Sequence, residues 1–171
     1  MLTTFPILYT DRLLLRKLGA DDIPALVKLG NNRKISAYVR NIPFPYTEPD
    51  AVFRIGYVHK GFASGTRYVF SIILREPEAF IGEISLHLDD GRKIAQLGYW
   101  IGEPFWQNGY TTEAIRRVLE FGFGKLNLDL VFASVEEENI ASVRVLEKNG
   151  FQKKAVTGGV LQYAITGKRD E

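Results

Sequence analysis

The chain has 171 residues, 46% hydrophobic and 25% charged, with a formal net charge of +2. That length supports a core, so residues 1–171 read as a single domain, and so small a charge excess argues against a nucleic-acid partner, which needs clustered Lys and Arg. With no cysteine, disulfides, thiol nucleophiles and Cys-ligated metals are excluded, and no metal is expected. Met1 to Arg12 lacks the basic-then-apolar order of a signal peptide, and no apolar run approaches the roughly 20 residues of a membrane helix. The expected setting is the cytoplasm, with no membrane association.

Arg12 to Arg16 reads as a first strand, with Leu13, Leu14 and Leu15 unbroken. A helix follows, opened by Asp21 and Asp22 where carboxylates suit the dipole, with Ile23, Leu26 and Val27 as its apolar face and Gly30-Asn31 as its stop. Arg33 to Tyr46 suggests a short helix and a loop, and Thr47-Glu48-Pro49-Asp50 opens a helix running to about Lys60. Strands are predicted over Tyr68 to Leu74, Phe80 to Leu88 and Ile94 to Ile101, the last two joined by an Asp89-Asp90-Gly91 hairpin turn. Glu113 to Lys125 has helical spacing in Ile115, Val118, Leu119 and Gly122. A strand at Leu130 to Val135, a helix at Asn139 to Lys148 capped by Asn139 and stopped by Asn149-Gly150, and strands at Phe151 to Ala155 and Leu161 to Ile165 complete the order. This order predicts an α+β (mixed α/β) fold: a mostly antiparallel sheet with parallel βαβ pieces in its second half, covered by helices on both faces.

The segment Trp106-Gln107-Asn108-Gly109-Tyr110-Thr111-Thr112-Glu113-Ala114 lies between a strand and a helix. A helix N-terminus exposes backbone N–H groups and the positive end of the dipole, so such a loop can hold an anion. Gly109 lets backbone approach a ligand closely, and Thr111 and Thr112 add hydroxyl donors. No Lys or Arg lies between Glu103 and Glu113, so backbone amides would carry most of the binding. The ring of Tyr110 is expected to pack beneath the loop.

Four motifs occur together: Thr10-Asp11-Arg12-Leu13-Leu14-Leu15-Arg16, Leu97-Gly98-Tyr99-Trp100-Ile101-Gly102, the Trp106 to Ala114 segment, and Asn139-Ile140-Ala141-Ser142-Val143-Arg144-Val145-Leu146-Glu147-Lys148-Asn149-Gly150-Phe151. In order and spacing the chain resembles the GNAT superfamily of acetyl-CoA-dependent N-acetyltransferases, and within it the RimJ/RimL type of ribosomal-protein N-terminal acetyltransferase. The resemblance implies acetyl-CoA as cosubstrate, with its pyrophosphate on Gln107, Asn108, Gly109, Tyr110, Thr111 and Thr112. It implies pantetheine along Trp100, Ile101 and Gly102, and Asn139 and Ser142 beside the pantetheine and thiol. Two residues depart from the pattern. Thr111 stands where Gly or Ala is usual, either narrowing the loop or contributing a hydroxyl. Leu146 stands where many relatives carry a general-acid tyrosine, which leaves Ser142 or a water to protonate the thiolate.

Amines of about pKa 8 to 10 are mostly protonated at neutral pH, so transfer benefits from a base. In Phe80 to Leu88, alternation sets Glu83, Ser85 and His87 opposite Ile84, Leu86 and Leu88. Glu83 is the candidate base and His87 a lesser one; the plainer alternative is a row facing water on an open side of the sheet. A strand-end N–H near Ile101 is the candidate donor to the thioester oxygen. The aromatics Phe44, Tyr46, Phe53, Tyr57, Phe62 and Tyr68 either pack helices on the sheet or border the acceptor region. The expected acceptor is a primary amine, on a protein N-terminus or a small molecule, attacking directly in a ternary complex. The alternative is a non-catalytic CoA-binding sensor or scaffold. A homodimer is compatible with the resemblance.

Overall fold

A computed structural model describes residues 1–167. The elements are β1 (Leu8–Tyr9), β2 (Leu13–Lys17), α1 (Ile23–Gly30), α2 (Arg33–Ser36), α3 (Glu48–Ala63), β3 (Arg67–Arg75), β4 (Glu78–Leu88), β5 (Ile94–Ile101), α4 (Tyr110–Gly124), β6 (Leu130–Glu136), α5 (Ile140–Lys148), β7 (Gln152–Thr157) and β8 (Val160–Thr166). The strands form one eight-stranded sheet in the order β1-β2-β3-β4-β5-β6-β8-β7.

Both faces of the sheet are covered, which settles the orientation of the polar row. On one face Leu13, Leu15, Phe70, Ile72, Ile84 and Leu86 pack against Ala114, Ile115 and Val118 of α4. On the other, Val69, Ile73, Phe80 and Trp100 pack against Leu26 of α1 and Ala51 and Val58 of α3. The alternation of β4 is as predicted: Ile84 and Leu86 face α4, while Glu83 and Ser85 are buried on the opposite side under helices rather than turned to water.

Several boundaries differ from the sequence reading. Asp21 and Asp22 lie in a short 3-10 turn before α1. Asp22 is buried there, holding Arg16 through both carboxylate oxygens and accepting bonds from Ser71 Oγ and the Gly19 N–H. It therefore acts as a cross-linker from β2 to β3, not as a surface charge on a dipole. Helix α4 begins at Tyr110, directly after Gly109, so the glycine loop abuts the helix with no intervening turn. The second half of the sheet holds one parallel pair, β5 with β6; α5 leads to β7, which pairs with β8, and β8 returns antiparallel to β6. The two-residue β1 was not anticipated.

Two irregularities shape the centre of the sheet. First, β4 bulges: Ile72 pairs with Gly82 and Ile73 with Phe80, so Ile81 is the extra residue. The bulge resets the alternation so that Phe80 and Glu83, three apart, both reach the α1/α3 layer. At Gly82 the neighbouring strand comes so close that a Cβ would sit 2.1 Å from the Trp100 carbonyl oxygen, and only glycine fits. Second, β5 and β6 pair only over Ile94–Gln96 with Leu130–Phe132, although β5 runs on to Ile101 and β6 to Glu136. Beyond that point β6 keeps β8 as its partner, and the sheet opens along a seam between β5 and β6.

Candidate functional site

Because β5 and β6 are parallel, their carboxyl ends lie at the same edge of the sheet. The chain leaves β5 into α4 and β6 into α5, so both helices start at the open end of the seam. In open α/β arrangements this is where ligands bind.

The first wall is the loop before α4. Gln107 (φ 62°) and Gly109 (φ 78°) are both left-handed, a conformation natural to glycine and uncommon elsewhere. The side-chain amide of Asn108 supports the turn by donating to the carbonyls of Phe105 and Trp106. Gly109 caps α4 without a side-chain acceptor, so the first N–H groups of the helix remain directed outward. Among the described residues, and apart from the adjoining backbone, a hypothetical Cβ on Gly109 meets Nη2 of Arg12, at 3.5 Å.

That arginine comes from the start of β2 and was not foreseen as part of the loop. Its Nη1 donates to the Asn108 carbonyl at 2.9 Å, and its Nη2 lies 2.7 Å from Oε2 of Glu113. Its guanidinium also lies over the Tyr110 ring, 4.5 Å from the centroid. Glu113 in turn accepts bonds from the Thr10 hydroxyl and the Arg12 N–H. Burial works against the charge on Glu113, but these hydrogen bonds and Arg12 outweigh it and hold its carboxyl below the ordinary range. The Thr10-Asp11-Arg12 motif was visible in the sequence, yet its contact with a loop about a hundred residues away was not.

The second wall is β5. Gly102 N–H bonds to the Ile81 carbonyl on the β4 side, at 2.8 Å. Since successive peptides in a strand point to opposite edges, the peptides of Ile101, Tyr99 and Leu97 point into the seam. The indole N–H of Trp106 caps the Ile101 carbonyl at 2.6 Å, pinning the strand end to the loop. The Trp100 side chain is turned to the α1/α3 face, away from α4.

The third wall is α5. Asn139 is its N-cap, with Oδ1 accepting from Ser142 N–H at 3.2 Å. Ser142 is half-buried, and its Oγ lies 2.6 Å from the hydroxyl of Tyr99 across the seam. Burial pushes the Tyr99 phenol up to about 12, against a smaller opposing pull from Ser142. Leu146 is fully buried in the α4-side core, so the position that departs from the family pattern serves packing.

The α1/α3 face carries the polar row. Glu83 is 2% exposed; its Oε2 accepts from the Trp100 indole N–H at 2.7 Å, and its Oε1 lies 3.4 Å from Nε of Arg54 on α3. Burial, helped by Glu83, pushes the phenol of Tyr46 up to about 12. His87 lies further along. Its Nδ1 accepts from Arg67, which leaves Nε2 to carry the proton toward Ser85 Oγ. Burial, then Arg67 and Arg54, push His87 down to about 4. A neutral imidazole whose free lone pair is already bonded to arginine is not placed to take a proton. Of the aromatics in this region, Tyr46 and Tyr68 are buried and Phe62 packs on the core, while Phe44, Phe53 and Tyr57 are exposed. Among the described residues no group of three or more His, Asp or Glu forms a metal site, and no helix is long and apolar enough to cross a membrane.

A sheet that opens at a parallel pair, with a glycine loop and two helix starts at the opening, defines a class of protein. The family model for the acetyltransferase (GNAT) domain matches residues 12–152, and the chain belongs to that family. It is an N-acetyltransferase. The uncharacterized N-acetyltransferase p20 of Bacillus licheniformis is 32% identical over 150 residues, spanning 87% of this chain and 84% of that one. Among solved structures, the ribosomal L7/L12 alpha-N-protein acetyltransferase RimL in complex with coenzyme A superposes with a TM-score of 0.82 at 17% identity, covering 94% of this chain and 98% of its own. A spermidine N-acetyltransferase from Vibrio cholerae, in complex with CoA and spermine, gives 0.77 at 23% identity, covering 92% and 97%. Both likenesses are of fold.

Proposed function

We propose that the chain transfers the acetyl group of acetyl-CoA to a primary amine by direct attack in a ternary complex. The observation that carries this is the seam between β5 and β6, open toward the Gly109 loop. The pyrophosphate takes the N–H groups from Gln107 to Thr112 at the α4 N-terminus. The pantetheine amides lie along the exposed peptide edge of β5 toward Trp100, Ile101 and Gly102, and Asn139 and Ser142 flank the thiol end. No covalent enzyme intermediate is needed.

The chemistry divides across the sheet. The amine approaches from the α1/α3 face, where Glu83, steadied by Trp100 and Arg54, receives its proton directly or through a water. As the amine attacks, charge develops on the thioester oxygen, and an N–H of the β5 end near Ile101 donates to it. When the C–S bond breaks, Ser142 gives its proton to the leaving sulfur. The acceptor is a primary amine on a protein N-terminus or on a small molecule. RimL and the spermidine enzyme, on a similar fold, are named for one of each.

The test is an amine and peptide panel incubated with acetyl-CoA, with acetylated products detected by mass. Transfer to at least one amine, with release of one CoA per acetyl group, supports the proposal. Tight CoA binding with transfer to no member of the panel favours a sensor or scaffold instead.

A further inference from the structure

The α5 position at which many members of this family carry a phenol is filled here by the buried Leu146. A phenol is nevertheless present, reaching the same helix from the other side of the seam. Tyr99 projects from the part of β5 that has no β6 partner, on the α4 side of the sheet. Its hydroxyl ends 2.6 Å from Ser142 Oγ, one helical turn before Leu146.

We infer that Tyr99 is a positioning residue for thiolate protonation, donating its O–H to Ser142 so that the serine proton is directed at the leaving sulfur. This rests on the acetyl-transfer reading above. A serine hydroxyl on a helix otherwise turns back to a carbonyl of the preceding turn. With a phenol O–H occupying one lone pair of Oγ, its own hydrogen points away from Tyr99, into the seam. The steps balance as follows. The C–S bond breaks and its electron pair stays on sulfur. Ser142 Oγ transfers its proton to sulfur, giving CoA–SH. In the same motion a water in the open seam passes a proton to the second lone pair of Ser142 Oγ, so no free alkoxide forms, exchange with solvent restores the water, and the Tyr99 O–H stays intact as the hydrogen bond that aims the serine. Because burial keeps the Tyr99 phenol protonated well above neutral pH, it is a donor throughout the working range.

Three surrounding features agree with this role. Asn139 fixes the backbone of Ser142 through the helix cap, so the serine position is set independently of Tyr99. Tyr99 pairs across β4 with Ile84, an apolar and fully buried neighbour, leaving Ser142 as the hydrogen-bond partner shown for its hydroxyl. The acceptor-side groups Glu83, Arg54 and His87 lie on the opposite face, which separates the proton given to sulfur from the proton taken from the amine.

The experiment is a double-mutant cycle with Tyr99→Phe and Ser142→Ala, read in two independent ways. Steady-state kinetics should show kcat lower by about tenfold for Tyr99→Phe and about a hundredfold for Ser142→Ala, with KM for acetyl-CoA within about twofold of the parent. The double variant should be no slower than Ser142→Ala, because Tyr99 acts through the serine. The second reading needs no turnover: the thiol pKa of bound CoA, followed by thiolate absorbance, should rise in Tyr99→Phe and in Ser142→Ala, and no further in the pair. Additive losses, or a parental kcat and bound-thiol pKa in Tyr99→Phe, overturn the inference while leaving the acetyl-transfer reading intact. If the parent protein fails to bind CoA in a calorimeter, that reading falls and the inference with it.

Discussion

Substituting alanine for Gly109 tests the loop at its most exposed point. Its φ of 78° lies where an L-residue costs about 1–2 kcal/mol. For a chain of this size each kcal/mol lowers Tm by about 2–4 °C. The new Cβ meets only Arg12 Nη2, at 3.5 Å, so no packing penalty is added and the fold should survive. Binding should suffer more. The methyl group stands over the helix N-terminus where the pyrophosphate is expected, and each charge-assisted backbone bond it displaces is worth about 1.5–3 kcal/mol. One such loss corresponds to roughly ten- to hundredfold in Kd. Gly159→Ala is the matched control: its φ is also 78° and nothing lies within 4 Å of its Cβ, but it sits in the turn between β7 and β8. The assays are calorimetric titration with CoA and thermal unfolding of both variants. Similar Tm losses with weakened binding only in Gly109→Ala is the expected result. Unchanged CoA affinity in Gly109→Ala would refute the assignment of the loop.

Glu113→Gln should destabilise the protein at neutral pH by about 1 kcal/mol, discounted because Arg12 is half exposed. Since the folded Glu113 titrates below its ordinary range, this stability is present above the unfolded pKa of about 4.3 and is lost as pH falls through the folded value. Parent and variant denaturant midpoints should therefore converge below about pH 4; a gap constant down to low pH contradicts the hydrogen-bond account. Glu83→Gln should slow acetyl transfer most at low pH, with the deficit shrinking as pH approaches the pKa of the amine, and a uniform deficit across pH argues that Glu83 is not the base. Leu146→Tyr should not raise kcat. It should lower stability by about 1–3 kcal/mol through overpacking of a fully buried site, and a faster, equally stable variant would show that the position is open to the thiol.

The elements with strong local signals were legible in the sequence. The alternation of β4, the Asn139 cap and the Gly109 loop all depend on neighbours within a few residues. What was not legible depends on pairings far apart in the chain. Arg12 meets the loop only because β2 is carried beside the start of α4, and nothing near Gln107 announces a cation. The bulge at Ile81 is invisible in a run of apolar residues that reads equally well without it. Tyr99 lies in the Leu97-Gly98-Tyr99-Trp100-Ile101-Gly102 stretch, but its pairing with Ser142 requires two strands to separate just where its side chain emerges. Glu83 was singled out as a polar residue in an apolar strand, while its engagement by Trp100 and Arg54 could be seen only once α3 was laid over the sheet.

The three-pair join between β5 and β6 bears on how long the folded protein lasts. The strands from β2 to β5 on one side, and from β6 to β8 on the other, are stitched by antiparallel ladders of five or more pairs, so the join is the weakest line between these two halves. On the proposed placement, with the cosubstrate's amides along β5, the cosubstrate would act there as a missing strand. Its binding free energy then adds to folding stability in proportion to the logarithm of its concentration. The amide hydrogens of Tyr99 and Ile101, which face the open part of the seam, should exchange more slowly as CoA is added, while those of β2 and β3 change little. In a cell whose acetyl-CoA supply rises and falls, the resistance of this chain to unfolding and proteolysis would track the supply, coupling its abundance to the metabolite it consumes.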